Sequence, residues 1–166
     1  VALNFVQRLS GIATTTSKYV KAVAGTRAQI LDTRKTTPLW RRIEKYAVRN
    51  GGGRNHRTGL FDMILIKDNH LRALANEPPN AITAAVRRAR SRYPDLEIEV
   101  ETDTLEQVQQ AADARADIIL LDNMSLDETR DAVRLVNGRS RIEASGGVTL
   151  GSVKTIAETG VDYISV

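Results

Sequence analysis

Six short apolar segments, separated by amphipathic stretches, constrain the fold of this 166-residue chain more than any other feature. The segments read as strands are Gln29–Thr33, Met63–Lys67, Glu97–Glu101, Ile118–Asp122, Arg141–Ser145 and Tyr163–Val166. The intervening stretches Pro38–Asn50, Asn80–Tyr93, Leu105–Arg115, Leu126–Asn137 and Leu150–Thr159 carry helical spacing; in the third, Leu105, Val108, Ala111 and Ala112 share one face. Helix punctuation agrees. Asp103 or Thr104 precedes the third helix, Ser125 opens the fourth, Gly138 and Gly160 follow helix ends, and Pro38 suits a first turn. Regular strand–helix alternation means a parallel sheet. Six units with short loops predict an α/β fold of the parallel β/α barrel type rather than an open doubly wound sheet. Residues 1–28 read as a lead-in helix with an irregular tail. A barrel of this kind needs more units and Val166 falls in mid-strand, so the expectation is an incomplete barrel with six strands visible. The whole of 1–166 then forms one catalytic-type domain, truncated at both ends.

The aromatic fraction is only 4%, so the core must be built from Ile, Leu, Val and Ala. Zero Cys excludes disulfides, zinc–thiolate sites and thiol nucleophiles and fits a cytoplasmic protein, and no apolar run approaches the roughly 20 residues of a membrane helix. The net charge of +4 is unevenly spread. Between Arg34 and Lys67 a run of Arg and Lys is opposed only by Glu44 and Asp62. Such an excess favours anionic partners, either nucleic acid or small polyanions, unless it is simply a solvated basic face.

The ends of the strands carry the functional signal. The first runs into Arg34 and Lys35, the second ends in Lys67, the third in Glu101, the fourth in Asp122, and the fifth in Ser145 followed by Gly146 and Gly147. In α/β barrels the carboxyl rim is where active sites are assembled. Arg34, Lys35 and Lys67 can bind carboxylate or phosphate. Glu101 and Asp122 can hold Mg²⁺, directly or through substrate or water, or accept from sugar hydroxyls. Ser145, Gly146 and Gly147 offer backbone N–H groups for a phosphate, or merely a tight turn.

The segment Gly51-Gly-Gly-Arg-Asn-His-Arg57 presents His56 and Arg57 on a flexible lead. Simple topology puts it at the opposite end of the barrel, because it precedes its strand; about ten extended residues could span roughly 30 Å and return it to the rim. His70 suits a capping or rim hydrogen bond.

Taken in order, Leu3-Asn-Phe-Val-Gln-Arg-Leu-Ser-Gly-Ile-Ala-Thr14, Asp32-Thr-Arg-Lys-Thr-Thr-Pro38, Glu44-Lys-Tyr-Ala-Val48, Gly51-Gly-Gly-Arg-Asn-His-Arg57, Leu65-Ile-Lys-Asp-Asn-His70, Glu97-Ile-Glu-Val-Glu101, Leu121-Asp-Asn-Met124 and Glu143-Ala-Ser-Gly-Gly-Val148 resemble the quinolinate phosphoribosyltransferases, the decarboxylating nicotinate-nucleotide pyrophosphorylases. The resemblance covers essentially the whole chain. It implies a pentosyltransferase joining quinolinate to phosphoribosyl pyrophosphate with Mg²⁺, giving nicotinate mononucleotide, pyrophosphate and CO₂. Arg34, Arg57 and Lys67 would then bind the two quinolinate carboxylates, with His56 nearby. Lys35 would contact pyrophosphate, and Thr33 counts among the substrate-binding positions. Glu101 and Asp122 would face the ribose hydroxyls and the Mg²⁺ complex, and Ser145, Gly146 and Gly147 the 5′-phosphate. Lys35, Glu101 and Asp122 are the residues implied in catalysis. The resemblance also implies a homodimer or larger homo-oligomer, because a neighbouring subunit supplies an Arg to the site.

One departure stands out: the family usually has Gly after Thr-Thr-Pro, where this chain has Leu39. A molybdenum-transport-associated relative shares the Thr-Arg-Lys-Thr and triple-Gly signatures, but Asn55-His-Arg57 and Lys67-Asp-Asn-His70 favour the quinolinate enzyme. A non-enzymatic basic module for nucleic acid is the competing class. Cations at strand ends, with few aromatics to stack on bases, speak against it. Partners are therefore expected to be the two small substrates and a second copy, with neither nucleic acid nor membrane.

Overall fold

The computed structural model describes residues 1–166. A long helix, α1 (Ala2–Ala22), leads into β1 (Gln29–Leu31), α2 (Arg41–Asn50), β2 (Ile64–Ile66), α3 (Asp68–Ala73), α4 (Ala81–Arg92) and β3 (Ile98–Thr102). The chain continues through α5 (Leu105–Asp113), β4 (Ile118–Asp122), α6 (Leu126–Val136), β5 (Arg141–Ser145), α7 (Val153–Ala157) and β6 (Tyr163–Ser165). All six strands pair in parallel in one sheet of order β1-β6-β5-β4-β3-β2. No helix is long and apolar enough to cross a membrane.

The barrel is not closed: β1 and β2 are the two edges. Arg54 partly covers the β1 edge by pairing in parallel with Leu31, its N–H donating to Ile30 O and its carbonyl accepting from Asp32 N. This bridge answers the topological difficulty over Asn55–Arg57. After α2 the chain uses Gly51–Gly53 to turn and climbs beside β1, which returns the next three residues to the carboxyl rim. Gly51 and Gly53 are packed against Thr16 of α1, where a Cβ would meet backbone or side-chain atoms at 2.5–2.9 Å.

Because side chains alternate along a strand, each strand shows two faces. Ile30, Ile66, Ile98, Val100, Ile119, Leu121, Ile142, Ala144 and Ile164 enter the core against the helices. The alternate positions point into the barrel and mix apolar Leu65 and Leu120 with Glu99, Glu101, Asp122, Glu143, Ser145 and Ser165. Burying one of the core aliphatics contributes about 1.5–3 kcal/mol, and the all-aliphatic outer layer holds the sheet while the inner layer is left for chemistry.

Local sequence accounts for most boundaries. Thr104 caps α5 by accepting from Gln107 N, and Ser125 forms a capping box with Glu128 at the start of α6. Asn137 and Gly138 carry positive φ at the end of α6. The second helix begins at Arg41 rather than Pro38, because Thr37–Trp40 forms a turn whose Leu39 sits at φ 67°. The last helix shrinks to Val153–Ala157, since Thr149 and Ser152 hydrogen-bond one another in a separate turn. The short α3 has no counterpart among the expected helices. His70 does act as a cap there, its Nδ1 accepting from Lys67 N at 3.0 Å.

Candidate active site

A cavity of about 860 Å³ opens at the carboxyl ends of the strands, within the size range of small-molecule sites. Thr33, Arg34, Lys35, His56, Arg57, Lys67, Glu101, Asp122, Ser145, Gly146 and Gly147 all line it. Every site position expected from the sequence is thus brought together in one place. Asn123, Val148 and Ser165 line it as well and were not singled out by sequence.

The cations are the notable part of this lining. Lys67 pairs with Glu101 at 3.0 Å, but Arg34, Lys35 and Arg57 make no ion pair. Arg34 Nε is buried without any hydrogen-bond partner. Burial first, and the charge of Arg34 second, pull the Arg57 guanidinium below its ordinary pKa. Like charges held together with an unsatisfied buried donor are costly unless an anion arrives. The site is built for one.

Two devices hold the cationic loops in place. Arg41 donates to Arg34 O, Thr58 O and Thr36 Oγ1 at 3.2–3.3 Å, tying the loop after β1 to the loop after Arg57. Beneath them lies a buried ion pair between Asp32 and Lys45. Asp32 also accepts from His56 N at 2.9 Å and Asn55 Nδ2 at 2.6 Å, while Lys45 Nζ donates to His56 O at 3.0 Å. Buried pairs contribute little net stability but fix geometry when every remaining group is satisfied, as here. The sequence hinted at neither residue's role, because an Asp in a strand and a Lys in a helix look like surface charges.

Glu99 and Glu143 lie deeper, with no side-chain exposure beyond 1%. His56 Nε2 stands 2.9 Å from Glu99 Oε2 and 3.5 Å from Glu143 Oε2. Neither Glu99 oxygen receives a well-aimed hydrogen bond. Ser165 Oγ donates to Glu143 Oε1. Burial and the adjacent Glu99 push the Glu143 carboxyl up to about 8, so it is an acid at neutral pH. For His56, burial opposes a charge, but Glu99 and Glu143 outweigh it and raise its pKa. A second ring proton could sit only on Nδ1, which accepts from Arg57 N at 2.7 Å. That contact decides the matter, and the ring carries one proton, on Nε2.

His56, Glu99 and Glu143 are also the one group of three whose ligand atoms lie within 4.8 Å of one another. With Nδ1 committed as an acceptor and Nε2 protonated, the ring has no lone pair for a metal, and the trio does not fit one. At the rim, Glu101 is engaged by Lys67, and neither it nor Asp122 belongs to a three-ligand group. These carboxylates do not by themselves make a protein cage for Mg²⁺.

The phosphate-type turn is shaped by backbone. Gly146 and Gly147 have φ of 96° and 59°, and Asn123 has φ 55°. A Cβ on Gly146 would collide with the Asn123 carboxamide. Glycine is required there by both sterics and dihedral. Leu39, at φ 67° and fully exposed, occupies the same kind of position without that freedom, which explains why Gly suits the turn after Thr-Thr-Pro.

Comparison with known proteins agrees with this site. The family described as "Quinolinate phosphoribosyl transferase, C-terminal domain" matches residues 12–166. A probable nicotinate-nucleotide pyrophosphorylase [carboxylating] of Synechocystis is 52% identical, covering 99% of this chain and 56% of that protein. Its Bacillus subtilis counterpart is 48% identical with the same coverage. The crystal structure of NadC from Streptococcus pyogenes superposes with a TM-score of 0.92 at 46% identity, over 100% of this chain and 57% of its own. The nicotinate-nucleotide pyrophosphorylase of Ehrlichia chaffeensis gives 0.91 at 45% identity, over 99% and 58%. The chain therefore spans little more than half the length of these relatives. With the matched domain, the identities and the superposed barrel in agreement, the chain belongs to the quinolinate phosphoribosyltransferase family, of which it carries the C-terminal domain.

Proposed function

We propose that the protein containing this domain transfers phosphoribose from phosphoribosyl pyrophosphate to quinolinate with decarboxylation, giving nicotinate mononucleotide for NAD biosynthesis. The observation that carries this reading is the group of unpaired cations, Arg34, Lys35 and Arg57, beside Lys67 in a cavity also lined by Glu101 and Asp122. Quinolinate has two adjacent carboxylates, and burying them needs matched cations. Arg34, Arg57 and Lys67 fill that role. Lys35 faces the pyrophosphate, Glu101 and Asp122 the ribose, and the Ser145–Gly147 turn the 5′-phosphate; Thr33 lines the same cavity.

The chemistry follows from the charges. The bond from C1′ to pyrophosphate breaks, the ribose gains oxocarbenium character, and the pyridine nitrogen forms the new bond. Lys35 stabilises the leaving oxygens, while Glu101 and Asp122 tolerate positive charge on the sugar. Glu101 and Asp122 would lie beside a Mg²⁺ brought in with the substrates, which would supply charge neutralisation for the leaving group. As CO₂ leaves, the bonding pair stays on C2, where the adjacent quaternised nitrogen stabilises it as an ylide, and C2 then takes up a proton from water. Arg34, Arg57 and Lys67 contribute by fixing the ring; no covalent nucleophile or general base is needed.

Exposed Leu39, Leu60 and Phe61, on the loops that follow the cavity residues Lys35 and Arg57, support a covering neighbour subunit, and hence a homodimer or larger assembly. The absence of Cys supports a cytoplasmic enzyme, although plant relatives are named chloroplastic or mitochondrial. The test is to incubate the full-length protein with quinolinate, phosphoribosyl pyrophosphate and Mg²⁺. One CO₂ and one pyrophosphate should appear per nicotinate mononucleotide. Equal turnover of nicotinate, with no CO₂ released, would overturn the reading.

A further inference from the structure

Three of the four polar atoms of His56 hydrogen-bond within the chain, and the fourth abuts a buried carboxylate. Its N–H donates to Asp32, its carbonyl accepts from Lys45, Nδ1 accepts from Arg57 N, and Nε2 faces Glu99 at 2.9 Å. Although His56 lines the cavity, its side chain is only 9% exposed, and Nε2 lies against Glu99 and Glu143. Arg57, one residue on, is the opposite case: it makes no ion pair, and its one side-chain hydrogen bond is a long contact of 3.5 Å to Met63 O. A free guanidinium on a loop has many rotamers, and fixing it requires that its backbone be fixed first.

Resting on the proposed function, we infer that His56 is a positioning residue, which sets the Arg57 backbone through Nδ1 and is itself oriented by Glu99, and that it takes no substrate carboxylate. Glu99, fully buried, anchors the ring from below. The Asp32–Lys45 pair anchors the same residue's peptide groups from behind. Arg57 is then presented beside Arg34 at a fixed distance, ready for a planar carboxylate, and the entropy of ordering it is lost on folding rather than on binding.

Two substitutions separate this from a ligand role, because Asn and Gln each reproduce one imidazole nitrogen. His56→Asn keeps an oxygen near the Nδ1 position and loses Nε2. His56→Gln keeps an amide near Nε2 and loses the Nδ1 acceptor. In the full-length protein the quinolinate KM of H56Q should exceed that of H56N by at least about five-fold, with the phosphoribosyl pyrophosphate KM differing less than two-fold between them. The reverse order would make Nε2 a ligand and overturn the inference. So would equal quinolinate KM values.

A second measurement does not depend on either variant folding. Side-chain ¹⁵N spectra of the wild-type protein should show His56 with protonated Nε2 and unprotonated Nδ1 at neutral pH, unchanged on adding quinolinate. A doubly protonated ring, or an Nε2 signal that moves when quinolinate binds, overturns the inference. If the wild-type protein does not turn over quinolinate, the proposed function fails, while the tautomer in the free protein still decides whether Nδ1 serves Arg57.

Discussion

Replacing Glu143 by Gln tests the buried acid pair through stability. In the folded chain Glu143 keeps its proton up to about pH 8, against an ordinary value of 4.5. Between those values the folded state holds a proton that the unfolded state has released. The stabilising contribution is therefore complete below about pH 4.5 and is lost as pH rises to about 8. At roughly 1.4 kcal/mol per pH unit, the interval sets an upper bound of about 5 kcal/mol on what the wild type loses. Gln copies the shape of the protonated acid and still accepts from Ser165 Oγ, but it does not titrate. E143Q should match the wild type within about 1 kcal/mol at pH 5 and exceed it by about 2–4 kcal/mol at pH 8. Urea unfolding of the two proteins at pH 5, 6.5 and 8 measures this, and taking the difference cancels groups that titrate in both. A stability difference that stays constant with pH, or that turns against E143Q as pH rises, would mean that Glu143 is ionised in the fold and that the raised pKa is wrong.

Three further outcomes follow from particular contacts. Arg57→Ala in the full-length enzyme should raise the quinolinate KM about ten-fold or more, as loss of a charge-assisted hydrogen bond worth about 1.5–3 kcal/mol implies; initial rates should show a much smaller change for phosphoribosyl pyrophosphate. Leu39→Gly should stabilise the protein by about 1 kcal/mol, because a fully exposed Leu at φ 67° bears left-handed strain with no packing to offset it; a lower unfolding midpoint would contradict this. Gly146→Ala must displace the Asn123 carboxamide and strain φ 96°, so thermal unfolding should show a loss of about 1–3 kcal/mol. Kinetics of the same variant should show a larger rise in KM for phosphoribosyl pyrophosphate than for quinolinate.

What the sequence revealed and what it hid divide along the two faces of the strands. The helix-facing positions are apolar at every second residue, so β3, β4 and β5 were legible to within a residue, and their charged ends named the rim. The barrel-facing positions carried equally regular information that is easy to misread. In Glu97-Ile-Glu-Val-Glu101 the alternation suggests a strand with one wet face, yet Glu99 is completely buried and only Glu101 meets the cavity. Period two separates the faces of a strand but not the depth along one face, and depth decides whether a carboxylate binds a ligand or stores a proton. The pairing of polar Glu99 with polar Glu143 on strands that both had to point inward was the available clue.

The loop after α2 shows the other limit. Chain order alone sends Arg57 to the wrong end of the barrel, and what brings it back is one bridge, Leu31 to Arg54, plus hydrogen bonds from Asp32 and Lys45. Those contacts join residues 11 to 24 positions apart, beyond the reach of any local pattern. Three glycines packed on Thr16 and Val20 make the turn, and a buried ion pair makes the destination. The cation that most needs accurate placement thus depends on long-range contacts to the residue before it, which is why composition could announce an anion site there but not say which residues build it.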